Sequence, residues 1–489
     1  MEALDWLVIG VFFLALIGII VWVVRQKQND SADYFLGGRD ATWLAIGASI
    51  FASNIGSEHL IGLAGAGASS GMAMAHWEIQ GWMILILGWV FVPFYTRSMV
   101  YTMPEFLERR YNPQSRTILS VISLVSYVLT KVAVTVYAGG LVFQQVFGIK
   151  ELWGIDFFWI AAIGLVVLTA LYTIFGGMKS VLYTSVLQTP ILLLGSLIIL
   201  VLGFKELGGW DEMMRVCGAV TVNDYGDTMT NLIRSNDDAN FPWLGALIGS
   251  AIIGFWYWCT DQFIVQRVLS GKNEMEARRG TIFGAYLKLL PVFLFLIPGM
   301  IAFALHQKYI GAGGEGFLPM LENGTANADA AFPTLVAKLL PAGVKGLVVC
   351  GILAALMSSL ASLFNSSAML FTIDFYKRFR PQTSEKKLVG IGQVATVVIV
   401  ILGILWIPIM RSVGDVLYTY LQDVQSVLAP GIAAAFLLGI CWKRTSAQGG
   451  MWGLISGMVI GLTRLGAKVY YSNAGEVADS TFKYLFYDM

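Results

Sequence analysis

The sequence predicts an all-α integral membrane protein, and three observations predict it. Of 489 residues, 57% are hydrophobic and only 13% are charged, against the roughly 25% charge of a soluble domain. The mean hydropathy is +0.70. Apolar runs recur along the whole chain at membrane-crossing length, for which about 20 mostly apolar residues suffice. Surface that a soluble globule would cover with charge must here face lipid. A net charge of +1 excludes both a basic field for nucleic acid and an acidic tail.

Twelve candidate spans follow in order: 5–24, 41–68, 72–96, 117–147, 157–175, 180–203, 242–266, 281–305, 342–376, 388–409, 416–441 and 450–471. The first is preceded by Glu2 and Asp5 rather than by basic residues, and no small-residue cleavage site follows. It reads as an uncleaved helix, not a signal peptide. The second breaks at Ala52-Ser53-Asn54-Ile55-Gly56-Ser57, where small and helix-poor residues free backbone carbonyls. The seventh carries the aromatic and polar run Trp256-Tyr257-Trp258-Cys259-Thr260-Asp261-Gln262. The ninth carries Ala354-Ala355-Leu356-Met357-Ser358-Ser359.

Lys and Arg set the orientation. With the N-terminus outside, inner loops collect 19 of the 32 basic residues, as the positive-inside rule requires. The long polar stretches 204–241 and 306–341 then lie outside. The Gly311–Gly316 run is a flexible outer loop rather than a phosphate loop, since no strand precedes it and no Gly-Lys-Ser/Thr follows. Asn323-Gly324-Thr325 is a glycosylation sequon on the outer side.

Four dispersed cysteines and three histidines (His59, His76, His306) form no metal-ligand spacing, and no nucleophile–base pair is visible. The protein is therefore not read as an enzyme. No soluble domain is present to hydrolyse a nucleotide. A membrane protein without such an engine is a channel or a secondary transporter, and transporters place their site where midplane helices break.

Ionisable groups inside spans are functional candidates by default, because burying them is costly. They are Glu58, His59, Glu78, Lys131, Asp261 and Lys288, with the neutral Gln422 near them in kind. Two readings of Glu78 and Lys288 stand side by side: an internal ion pair holding two helices, or part of a polyol site. In a polyol site, carboxylate, ammonium, amide and imidazole satisfy hydroxyls over an aromatic face. Ser358 and Ser359 likewise read either as small residues packing helices or as oxygen ligands for a hard cation.

Gly47 to Ser57, followed by His59 and by Gly62-Leu63-Ala64-Gly65, closely resembles the sodium/glucose cotransporter family, the sodium–solute symporters. So do Trp256 to Gln262 continuing into Gln266-Arg267, Tyr286-Leu287-Lys288-Leu289, Leu356-Met357-Ser358-Ser359, Tyr420-Leu421-Gln422 with Leu428-Ala429-Pro430, and Phe436 to Gly439 with Trp442-Lys443-Arg444. The likeness runs from about 33 to 465, and the sugar-transporting branch fits better than the sialate or proline branches. It implies a LeuT-like five-plus-five inverted-repeat core with one helix before and at least one after it. One transmembrane transporter domain would fill 1–489: an extra helix over 5–24, a first repeat over about 41–203, an inverted second over about 242–441, and a trailing helix and outer tail over about 450–489. Family members usually carry one or two further helices at the C-terminus.

By the resemblance, sodium is held by the carbonyls of Ala52, Ile55 and Ala355 and the hydroxyls of Ser358 and Ser359. The sugar meets Asn54, His59, Glu78, Lys288 and Gln422. Tyr257 stacks beneath it as the inner gate with Trp258 beside it, and Leu63, Trp77 and Tyr418 form the outer lid. Gly81 and Gly254 stand where some relatives supply a hydrogen-bonding side chain. Relatives that bind a second sodium carry Thr-Asp where this chain reads Thr184-Ser185, which predicts one sodium per sugar.

The expected function is a sodium-coupled symporter importing a monosaccharide, glucose or galactose, by alternating access. The alternatives are a myo-inositol carrier, or a sugar-gated sensor or leak channel on the same fold. Sodium is a co-substrate and no cofactor is implied. The partners are sugar, sodium and the lipid bilayer, with no nucleic acid and no obligate protein partner. The place is the plasma membrane, or the inner membrane if bacterial, with the N-terminus outside.

Overall fold

The first helix, Ala3–Val24, is apolar all round, as a lipid-facing span must be. In the computed structural model it buries Ile9, Phe12 and Leu16 and leaves Leu7, Val11, Leu14, Ile17 and Val21 exposed. The structure describes residues 1–489 other than 27–29, 57, 239, 322–323, 414–416 and 475–489, and the side chains of 129, 145, 409–424 and 468–474 are also left aside. At the first helix's start, Asp5 is buried and accepts from the backbone N–H groups of Gly343 (2.7 Å) and Gly346 (2.8 Å). A carboxylate there satisfies orphan donors at the N-terminus of the Val344–Met369 helix.

Among the described residues, eight helices are long and apolar enough to cross a membrane: Ala3–Val24, Glu58–Ser98, Pro113–Gln144, Phe157–Leu207, Trp243–Thr260, Glu274–Gly311, Val344–Phe379 and Glu385–Pro408. Trp43–Asn54 and Gln425–Cys441 are shorter and apolar, and Ala447–Ala474 follows. The difference from twelve spans lies in how breaks are made. Spans 157–175 and 180–203 join in one 51-residue run that turns at Gly177, where φ is 52° and ψ is −149°. A Cβ there would also sit 2.4 Å from the Tyr34 carbonyl oxygen, so only glycine fits this corner.

The second span, by contrast, is interrupted. Trp43–Asn54 ends at Ile55, whose backbone is extended (φ −80°, ψ 104°). The chain resumes as a π-turn over Glu58–Leu63 and an α-helix over Ala64–Ser70. Trp43–Asn54 lies against Glu274–Leu287 and Phe157–Leu207, and Phe157–Leu207 against Val344–Met369. Contact is close because small residues face each other: a Cβ on Gly47 would sit 2.5 Å from Phe283 and 2.7 Å from the Gly280 carbonyl oxygen. This arrangement brings the interrupted stretch, the ninth span's serines and the seventh span's aromatic run to one place.

Candidate functional site

A helix that stops short leaves its last carbonyls without intrahelical donors. At the end of Trp43–Asn54 the Ser359 hydroxyl supplies them, donating to the carbonyl oxygens of Ser53 (2.8 Å) and Ile55 (3.3 Å). Ser53 Oγ and Ser362 Oγ lie 2.8 Å apart, and Ser362 donates to the Ser358 carbonyl at 2.6 Å. Ser358 Oγ lies 3.3 Å from Ser185 Oγ. Ala52 and Ala355 are both buried. Ile55 and Ser359, assigned to sodium from the sequence, therefore meet directly, and Ser358 faces a neighbouring hydroxyl. Carbonyl and hydroxyl oxygens gathered at a broken helix suit a hard cation.

A second group assembles beside it. Lys288 donates to Glu78 Oε2 at 2.5 Å and lies 3.0 Å from His59 Nε2, while His59 Nε2 is 3.3 Å from Glu78 Oε1. All three side chains are buried. Glu78 and Lys288 thus meet as the internal ion pair, with His59 against both. Asn54 donates to the Tyr257 hydroxyl at 3.0 Å, and Lys288 Nζ lies 5.6 Å from the centre of the Trp258 ring. Among the described residues, buried Asn54 Oδ1 and His59 Nδ1 have no hydrogen-bond partner, so acceptor and ring nitrogen stand open to a ligand.

The two glycines acquire a physical role. A Cβ on Gly81 would sit 2.5 Å from Lys288 Cγ, so the bare glycine makes room for the lysine stem. A Cβ on Gly254 would sit 2.6 Å from Gln80 Oε1, a buried oxygen without a hydrogen-bond partner among the described residues. Of the proposed lid, Leu63 is buried and Trp77 lies tilted beside His76 at 5.1 Å between ring centres. The side chains of Tyr418 and Gln422 lie outside the described residues.

Three features escaped the sequence reading. Lys131 and Asp261, named there as buried ionisable groups without roles, pair at 2.6 Å across 130 residues. Tyr127 also donates to Asp261, and the ammonium lies within 5.4 Å of the rings of Tyr127, Trp256, Tyr257 and Phe263. Asp261 caps the Gln262–Leu269 helix immediately after the π-turn that carries Tyr257. Arg267, counted among inner-loop charges, is instead 1% exposed. Its Nε donates to Ser53 Oγ at 2.9 Å, and among the described residues Nη1 and Nη2 have no hydrogen-bond partner. Asp374 is buried with Arg116, 2.6 Å away, and accepts from Thr102 and Ser120. A buried carboxylate inside the ninth span was the available signal for that pair.

The profile described as the sodium:solute symporter family matches residues 34–457. Human sodium/myo-inositol cotransporter 2 is 38% identical over 479 residues, which are 95% of this chain and 70% of that protein. Zebrafish (Danio rerio) sodium/glucose cotransporter 4 is 38% identical over 482 residues, 95% of this chain and 72% of that protein. Among solved structures, a substrate-bound, outward-open Na⁺-coupled sialic acid symporter superposes with a TM-score of 0.75 at 21% identity, covering 94% of this chain and 97% of that one. MhsT in complex with L-phenylalanine superposes with a TM-score of 0.56 at 10% identity, covering 89% and 99%. At such identities these two likenesses carry the fold alone, which is LeuT-like.

Proposed function

The chain belongs to the sodium:solute symporter family, and from that premise we propose that the solute it moves with sodium is a monosaccharide, glucose or galactose. The observation that carries this reading is the buried Lys288–Glu78–His59 cluster with Asn54 and Tyr257 beside it. Hydroxyls both donate and accept, and this group offers an ammonium, a carboxylate, an imidazole and an amide around aromatic faces. myo-Inositol is the second reading, favoured because several relatives at 38–39% identity bear that name and because a cyclic polyol meets the same groups.

In the proposed cycle, sodium joins the carbonyls of Ala52, Ile55 and Ala355 to the Ser358 and Ser359 hydroxyls. That links the broken second span to the ninth and favours the outward-facing state. Sugar then contacts Asn54, His59, Glu78, Lys288 and Gln422, and Leu63, Trp77 and Tyr418 close over it. Release inward requires Tyr257, with Trp258 beside it, to leave Asn54. A ligand shifts such an equilibrium only through its different affinity for the two states, and coupling is reciprocal: sodium and sugar tighten each other by one factor. The first repeat occupies about 41–203 and the inverted second about 242–441, with the N-terminus outside, in the plasma membrane.

Uptake into proteoliposomes tests the proposal. A panel of glucose, galactose, myo-inositol, sialic acid and proline is offered with sodium or potassium outside. Sodium-dependent accumulation of glucose or galactose is the expected result; accumulation of sialic acid or proline alone overturns it. Binding without accumulation would favour the sensor.

A further inference from the structure

Every described residue from Phe51 to Gly65 is buried except one, Glu58. A carboxylate is thus the only described side chain of the broken second span's central stretch that keeps part of its surface open. Glu58 begins the π-turn Glu58–Leu63, directly beyond the break. The ideal Cβ position of Gly56 locates it: Ser359 Oγ lies 3.1 Å from that point and Glu58 Oε1 3.9 Å from it. The hydroxyl that caps the broken helix and the carboxylate therefore flank the same glycine.

Two other buried charge pairs stand around the site, while Nη1 and Nη2 of the Arg267 guanidinium have no hydrogen-bond partner among the described residues. Lys288 holds Glu78 at 2.5 Å and Lys131 holds Asp261 at 2.6 Å. Arg267 has Tyr257 and Asp261 as its electrostatic neighbours. Glu58 faces His59, Lys131, Lys288 and Glu78 electrostatically, yet among the described residues no side chain reaches it within ion-pair or hydrogen-bond distance. The oxygens assigned to sodium, three carbonyls and two hydroxyls, are all neutral. A cation held by neutral oxygens alone brings an unbalanced charge into the bundle, and a buried charge is stable only when paired.

We propose that Glu58 is the counter-charge of the sodium ion. Its carboxylate sits beside the cation's oxygens and sets sodium affinity through charge, as a positioning residue, while solute is held by other groups. This rests on the sodium-coupled reading above and adds a residue which that reading does not use.

Glu58→Gln keeps shape and removes charge; Glu58→Asp keeps charge. In proteoliposomes the sodium concentration for half-maximal solute uptake should rise about tenfold in Glu58→Gln, which is about 1.4 kcal/mol, and return most of the way in Glu58→Asp. The half-saturating solute concentration at saturating sodium should move less than twofold. Sodium chloride against choline chloride in a thermal-shift titration of the purified, solute-free protein reads sodium binding without transport. It should give the same tenfold displacement, even if Glu58→Gln transports poorly. An unchanged sodium midpoint in that titration overturns the proposal, and so does a raised solute requirement with unchanged sodium dependence. Wild-type protein that takes up no sugar in sodium would sink the sugar reading instead, and the solute-free titration would still decide Glu58.

Discussion

At the scale of single residues, the site works by placing one polar atom against another that the chain cannot satisfy itself. Ser359 donates to two carbonyl oxygens freed by the helix break. Ser359→Ala removes one of the five oxygens proposed for the cation and uncaps those carbonyls, at about 1–3 kcal/mol for an unmade buried hydrogen bond. We expect the sodium requirement for uptake to rise several-fold or more, with little change in solute contacts. Wild-type sodium dependence in this variant would remove Ser359 from the sodium site. Gly81 is a second such point. A methyl group there would meet Lys288 Cγ at 2.5 Å, so Gly81→Ala should displace the lysine from Glu78 and raise the solute half-saturation at least tenfold in folded protein. Gly254→Ala, which meets the movable end of Gln80, should cost less. Equal effects in the two uptake assays would argue against a lysine held by that gap.

Between elements, ion pairs and caps connect pieces far apart in sequence. Arg110 donates to the carbonyl oxygens of Gly439, Trp442 and Thr445, which closes the end of the Leu417–Cys441 helix as a basic side chain can. Arg116 joins the Pro113–Ser126 helix to Asp374 on the Leu370–Tyr376 π-turn. Arg116→Ala leaves that carboxylate buried with only the Thr102 and Ser120 hydroxyls, a loss of about 3–5 kcal/mol for a broken buried pair. This end of the bundle should open, raising thiol-reagent access at cysteine probes placed beside the pair and lowering thermal stability. If neither moves, the pair does not hold that end closed. Arg234 donates to the Ser70 carbonyl and pairs with Asp238 at 3.5 Å, tying the 219–242 loop to the turn before Trp77. Burial pushes the Asp238 carboxyl up, but the Asn223 amide, the Phe241 and Asn240 N–H groups and Arg234 outweigh it and hold it below its usual range. A depressed carboxylate stabilises above its unfolded pKa of about 3.9 and loses that contribution as pH falls through its folded value. Protease resistance of this loop should therefore hold from pH 8 to pH 5 and fall only in stronger acid. Loss already at pH 6 would point to another titrating group.

For the whole molecule, the number of sodium ions sets what transport can achieve. Ser185 offers a hydroxyl that lies 3.3–3.4 Å from two others and donates to the Val181 carbonyl. No carboxylate stands at that position, so we expect one sodium per solute. Each ion supplies about 2.3 kcal/mol per 100 mV and about 1.4 kcal/mol for a tenfold gradient, or roughly a 500-fold limit on accumulation. Reversal potentials across known gradients should give a coupling ratio near one; a ratio near two overturns it. Orientation is tested by impermeant maleimide on intact cells. With Cys441 replaced by Ala, Trp153→Cys on the hairpin Glu151–Asp156 should label from outside, and Phe379→Cys only after permeabilisation. Both positions are highly exposed. The opposite pattern would invert the topology.

The membrane class, the helical spans and the interrupted second span followed from composition and local residue choice. Apolar length and small, helix-poor residues act locally, so they are legible wherever they occur. The sodium coupling was legible as well, through a family resemblance that contiguous motifs such as Ala52 to Ser57 and Leu356 to Ser359 carry. Pairing was not. Lys131 with Asp261, Arg116 with Asp374 and Arg267 with Ser53 join residues 130 to 258 positions apart, and a sequence names such groups without saying which meet. Nor could it say that Gly81 is bare to admit Lys288, or that Glu58 alone stays open among buried neighbours. Those facts depend on which helix faces which, and in a bundle of apolar helices that is decided by close packing and by the need to match each buried charge.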